Sequence, residues 1–127
     1  MKSTGMKLTI RADGFEGWAK RARVRAKKLD RGERLAPEMT INFGSAMEML
    51  EVLTVERMRL LETTRMQAFS VTGLAAALKR DPKSVRRDVA KLVRFGVLRT
   101  REEINPGHGR VKIVEPVAQR VEMRASF

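Results

Sequence analysis

The sequence predicts an α+β, mainly helical fold, and three features carry that expectation. Between residues 54 and 96, apolar residues recur at helical spacing behind capping residues. Strict two-residue alternation marks strands near both ends of the chain. A breaker cluster, Asn105-Pro106-Gly107-His108-Gly109, separates two further strand-like runs.

Taken in order, Met6, Leu8 and Ile10 alternate with Lys7, Thr9 and Arg11, the pattern of a half-buried strand. Gly14 and Gly17 break that pattern. From Trp18 to Leu29 the apolar Trp18, Ala22, Ala26 and Leu29 fall at helical spacing, with Lys and Arg over the rest of the surface. Asp30, Gly32 and Pro37 mark a loop, after which Met39, Ile41 and Phe43 alternate with polar neighbours in a second strand. Ser45 and Glu48 form a capping box for a short helix, about 46–53. Thr54 caps a helix over 55–66 whose core side uses Met58, Leu61 and Leu60. Ser70 caps the next, with Val71, Leu74, Ala75 and Leu78 on one stripe. After a short break, Asp81-Pro82 opens a fourth helix that Gly96 ends. The runs 97–104 and 110–115 then read as a hairpin, and Val121, Met123 and Phe127 share one face of an alternating tail.

The elements group into three segments. Residues 1–43 form a strand–helix–strand arm for dimerisation or partner binding, and 44–115 have the outline of a winged helix-turn-helix. Residues 116–127 are a C-terminal strand-like tail. Charge follows a similar division: residues 1–37 carry a balance of +7, 38–66 of −2 and 70–112 of +7.

Composition narrows the function. The chain has 127 residues and a net charge of +12, a balance that attracts polyanions, and its 43% hydrophobic content suffices for a core. With no Cys and a single His, His108, it lacks disulfides, thiolate zinc sites, a multi-histidine metal site and cysteine catalysis. No carboxylate pair stands out as catalytic, since Glu102 and Glu103 point to opposite faces of a strand. No run approaches the length of a membrane span, and no secretory signal is visible. The expectation is a cytoplasmic binding protein, not an enzyme, with no metal and no cofactor.

On the fourth helix, 100° per residue places Val85, Val89, Leu92 and Val93 in one sector. Lys83, Ser84, Arg87, Lys91 and Arg94 face the opposite way, with Arg86 and Asp88 on the two flanks. In a helix-turn-helix the second helix enters the major groove. Arg87 can pair bidentately with guanine, and Ser84 can meet a base edge or a phosphate. Lys83, Lys91, Arg94 and Arg86 suit phosphates. At the hairpin, His108 and Arg110 occupy the tip and Lys112 a strand, a second contact for duplex DNA. A basic face of this kind is also what any solvated helix can carry, and His108 reads equally as an idle loop residue.

The stretch SVTGLAAALKRDPKSVRRDVAKLVRFGVL resembles the turn, recognition helix and wing exit of MarR-like winged-helix DNA-binding proteins. INFGSAMEMLEVLTVERMRLLETTR upstream is similar to a group of archaeal and bacterial DNA-binding proteins, some encoded beside a small toxin. The resemblance implies transcriptional repression, and because helix-turn-helix proteins meet twofold-symmetric sites as dimers, the expectation is a sequence-specific, dimeric repressor of its own promoter. Its alternative is an antitoxin that neutralises a toxin through the N-terminal arm. The candidate dimer or partner interface is Met6, Leu8, Ile10, Trp18, Met39, Ile41 and Phe43, with Trp18 reading equally as core. The basic face from Lys20 to Lys28 suits either phosphates or an acidic partner. RNA reading is disfavoured by the absence of Tyr and the scarcity of other aromatics.

Overall fold

Alternation in residues 6–11 does produce a strand, although it is buried on both faces. The computed structural model describes residues 6–35 and 37–125. Its elements run β1 (Lys7–Arg11), α1 (Gly14–Asp30), β2 (Met39–Asn42), α2 (Ala46–Val52), α3 (Val55–Met66), β3 (Phe69–Ser70), α4 (Val71–Leu78), α5 (Pro82–Arg94), β4 (Leu98–Asn105), β5 (Gly109–Pro116) and β6 (Arg120–Arg124). They fall into two compact units, 1–51 together with 118–127, and 52–117.

In the first unit β1 is the central strand of a sheet ordered β2-β1-β6. Both neighbours run parallel to it, with Leu8 opposite Met39 and Val121, and Ile10 opposite Ile41 and Met123. A parallel pair needs a crossover, and α1 supplies the one between β1 and β2. The tail expected as a separate segment is therefore a sheet strand, joined to the arm from far along the sequence. Its expected third apolar residue, Phe127, lies outside the described residues. One face of the sheet is apolar. The other carries Thr9, Arg11, Thr40, Asn42, Glu122 and Arg124. Burial alone would raise the Glu122 carboxyl, yet the Arg124 hydrogen bond and the charges of Lys7, Arg120 and Arg124 hold it below its ordinary value.

Helix α1 begins four residues before the expected start. The Gly14 N–H donates to the Phe43 carbonyl at 3.2 Å, and the Asn42 side-chain amide donates to the Gly14 carbonyl at 2.6 Å. Gly14 holds φ +63°, and a Cβ there would stand 3.3 Å from the Gly44 carbonyl oxygen, so glycine suits this junction. None of the 17 residues of α1 is buried.

The interface expectation changes accordingly. Leu8 and Ile10 are fully buried and Phe43 nearly so, which makes them core of their own chain rather than a free surface. Leu8 and Ile10 lie on the central strand, flanked by Met39 and Ile41 on one side and by Val121 and Met123 on the other. Met6, Met39 and Ile41 are half-buried, and Trp18, for which a core place was the other expectation, is 52% exposed.

The second unit contains α3, α4, α5 and a sheet ordered β3-β5-β4. Thr54, Ser70 and Asp81 cap α3, α4 and α5 as expected, accepting from the N–H groups of Arg57, Gly73 and Ser84. The capping box is present with a shift: Ser45 accepts from the Glu48 N–H, while Glu48 reaches back to Gly44. On α3 the buried residues are Leu60, Leu61 and Thr64, with Met58 only half-buried. Strand β3 has no counterpart in the sequence pattern. Its two residues pair antiparallel with Val114 and Ile113 and give the hairpin a third strand. Leu60, Leu74, Val85, Leu92, Leu98 and Val114 are almost inaccessible and form the core.

Replacing Leu8 by Ala should lower stability by about 2–5 kcal/mol, the range for a leucine cavity in a packed core. Urea unfolding followed by far-UV circular dichroism checks it. A loss below about 1 kcal/mol would mean that β1 is not the packed centre of its sheet.

Candidate nucleic-acid interface

The turn between α4 and α5 sets the angle of everything that follows. Helix α4 ends with the Arg80 N–H on the Ala75 carbonyl and the Lys79 N–H on that of Ala76, the hydrogen-bond pattern of a Schellman motif. That motif needs a left-handed residue, and the chain uses Lys79, at φ +55°, where glycine is usual. Two residues on, Asp81 is extended and caps α5, with Pro82 in the first turn. Helix α5 ends in the same pattern on Gly96, φ +84°, with Val97 N–H on the Leu92 carbonyl and Gly96 N–H on that of Val93.

Asp88, expected on the flank of α5, is buried instead, only 8% exposed. Arg57 Nε donates to Asp88 Oδ1 at 3.0 Å, and an Arg80 Nη donates to Oδ2 at 2.7 Å. A second Arg57 nitrogen donates to the Val52 carbonyl at 2.9 Å, and Arg80 Nε lies 3.5 Å from Glu56 Oε2. One carboxylate thus joins α3, the α4–α5 turn and α5. Its sequence signal is weak, because on the wheel Asp88 falls about 40° outside the Val85/Val89/Leu92 sector, next to Leu92. Val93, expected in the core sector, sits at its margin and is 36% exposed.

With Val85, Asp88, Val89 and Leu92 inward, the opposite surface of α5 is set. Lys83, Arg86, Arg87 and Arg94 are exposed, and Ser84 and Lys91 are half-buried along one side. Among the described residues, none of these five cations enters an ion pair. The first turn of α5 holds no acid, and the carboxylate that meets its N-terminal dipole is the capping Asp81, with Lys83 beside it.

The hairpin differs. Its turn places Pro106 and Gly107 at the centre, with the His108 N–H on the Asn105 carbonyl at 2.8 Å and Gly107 at φ +83°, a type II arrangement. His108, Arg110 and Lys112 are all exposed, yet the strands neutralise much of their own charge. Arg110 lies 3.3 Å from Glu102, Arg101 pairs with Glu103 and Glu115, and Arg99 with Glu115. The hydrogen bond to Glu103 is the largest influence raising the Arg101 pKa above its ordinary value.

Three helices, a tight α4–α5 turn and a three-stranded sheet ending in a long hairpin define a winged helix-turn-helix protein. The chain belongs to the HVO_A0114 family, whose sequence model matches residues 52–120. Among curated proteins no significant match is found. Several solved structures are similar over part of the chain. A possible transcriptional regulator from Methanosarcina mazei Go1 is 22% identical over 54% of this chain, with a TM-score of 0.47. The chain spans 61% of that protein's length. The transcriptional regulator HlyU from Vibrio vulnificus CMCP6 is 20% identical over 79% of this chain and 81% of its own, with a TM-score of 0.47. A cysteine-to-serine mutant of ZitR from Lactococcus lactis, solved in complex with DNA, is 13% identical over 82% of this chain and 66% of its own, with a TM-score of 0.46. Among the described residues no helix is long and apolar enough to cross a membrane.

Replacing Asp88 by Ala should destabilise the protein by about 3 kcal/mol, because two guanidinium groups lose their shared anion in a largely buried place. Asp88→Asn should cost less, since the amide oxygen still accepts one hydrogen bond. Denaturation midpoints of the two variants give the order, and equal midpoints would remove charge from the explanation.

Proposed function

We propose that the protein is a sequence-specific, double-stranded DNA-binding transcriptional regulator that inserts α5 into the major groove. The observation that carries this reading is the solvent face of α5, where five cations stand free of ion pairs with the described residues on one capped helix of a winged helix-turn-helix. Arg87 reads a base edge and Ser84 a base or phosphate, while Lys83, Arg86, Lys91 and Arg94 clamp the backbone. His108, Arg110 and Lys112 are the wing's contacts, weaker ones because Arg110 must give up Glu102. The resemblance of the α4–α5 segment to MarR-like proteins agrees with this assignment. A homodimer acting as a repressor of its own promoter completes the proposal, since helix-turn-helix proteins meet twofold-symmetric sites as dimers. The half-buried Met6, Met39 and Ile41 are its contact candidates.

A second reading is toxin neutralisation through residues 1–43. What favours it is α1, on which Phe15, Trp18, Val24 and Leu29 are all exposed. Co-expression with the product of the adjacent gene tests it. Relief of a growth arrest supports the reading, and failure of the two products to associate removes it.

The DNA reading is tested by fluorescence-anisotropy titration of the duplex upstream of the gene against a shuffled duplex, at two salt concentrations. A preference of about 10³-fold or more is expected. Equal, steeply salt-dependent binding to both would leave only the net charge acting. Arg87→Ala should weaken the cognate site selectively, by about 1–3 kcal/mol. Lys91→Ala should weaken every sequence alike and reduce the salt slope by about one. If Arg87→Ala costs the same on random DNA, Arg87 is not a reading residue.

A further inference from the structure

A groove of about 690 Å³ opens between α1, the strands β1 and β2, and the loop before β2. Its walls are largely apolar, with Trp18, Val24, Leu29 and Leu35 among them. Arg11, from the central strand of the sheet, also lines it. That arginine is in an unusual position. It is half-buried, its Nε is sealed from solvent, and that nitrogen has no hydrogen-bond partner among the described residues. Nor does Arg11 enter an ion pair with any of them. The two acids nearest in sequence to the groove are already committed, Asp13 to Arg21 and Glu38 to Arg25. In the sheet, Arg11 lies opposite Asn42 on one side and Arg124 on the other, and neither can neutralise it.

A guanidinium held part-way out of water without an anion is costly, and the cost is recovered when a charged acceptor arrives. The surroundings specify the rest of that acceptor. Apolar surface beside Arg11, in a groove that Lys20, Arg21, Arg25 and Lys28 also line, complements a molecule with an anionic head and an apolar body. The volume is that of a small-molecule site rather than a polymer channel. Arginine favours planar, two-oxygen anions, because its fork donates two parallel hydrogen bonds. We propose that this groove is a binding site for a small amphipathic carboxylate, with Arg11 holding the head group and Trp18, Val24 and Leu29 covering the body. The inference is independent of DNA binding, since every residue it uses lies within the first unit.

Trp18 is the chain's single tryptophan, so its emission reports on the groove directly. The experiment titrates the full-length protein with decanoate and, separately, with decanol, both below their aggregation limits, and follows Trp18 fluorescence. The expected result is a saturable change with decanoate at concentrations about ten-fold or more below those needed for decanol, the ratio expected for one charge-assisted contact. Arg11→Met should abolish the preference for the carboxylate, and Arg11→Lys should keep part of it. Lys83→Met, which removes an equal charge from α5, should leave the preference intact. Equal responses to decanoate and decanol in the unaltered protein would overturn the proposal, whatever the variants do. So would a preference that Lys83→Met lowers as much as Arg11→Met, because net charge would then explain it.

Discussion

The winged-helix unit is organised around one carboxylate. Asp88 faces inward on α5, in a stripe whose other members are Val85, Val89 and Leu92, and it is tolerated there because two arginines reach it from different elements. Arg57 comes from the first turn of α3 and Arg80 from the turn that precedes α5. Buried charges of this kind contribute little net stability compared with an apolar replacement, but they are demanding about geometry. Each oxygen is met by a separate donor, so rotation of α5 about its axis would break at least one contact. Hydrophobic packing alone sets no such limit, since neighbouring valines and leucines can exchange places at small cost.

Fixing the rotation of α5 determines what faces solvent. With Asp88 inward, Arg87 and Lys83 point out, and the helix presents cations with no acids among them. The same chain handles charge differently on its hairpin, where Glu102, Glu103 and Glu115 pair with Arg99, Arg101 and Arg110. The contrast separates a basic surface whose cations form no ion pairs among the described residues from one that neutralises itself. Exposed ion pairs such as these add little to stability, so their effect is mainly to lower the positive field along the wing.

The first unit follows another logic. Its sheet is parallel, and parallel strands are usually covered on both faces. Here one face is apolar and deeply buried at Leu8 and Ile10, while the other bears Thr9, Arg11 and Asn42. The crossover helix α1 has no buried residue, and its aromatic pair, Phe15 and Trp18, with ring centroids 5.5 Å apart, remains open to solvent. The unit therefore combines a closed core with an open cleft of mixed polar and apolar lining.

Local chemistry is enough to place most helices and the hairpin. Thr54, Ser70, Asp81-Pro82 and Gly96 act within a few residues of themselves, so their meaning can be read without knowing the fold. The outward cations of α5 are legible for the same reason, since helical periodicity alone separates them from Val85, Val89 and Leu92. What escapes such a reading depends on partners distant in sequence. Strand β3 is two residues long and exists only because β5 lies beside it. The tail becomes β6 only by pairing with β1, at the other end of the chain. Leu8, Ile10 and Phe43 resemble a surface awaiting a partner because nothing local marks β6 as the strand that encloses β1. Asp88 resembles a solvated flank because Arg57 and Arg80 are 31 and 8 residues away in the chain. Caps, turns and helix faces are governed by contacts within a turn or two, whereas strand pairing and buried ion pairs arise from contacts that only tertiary folding brings together.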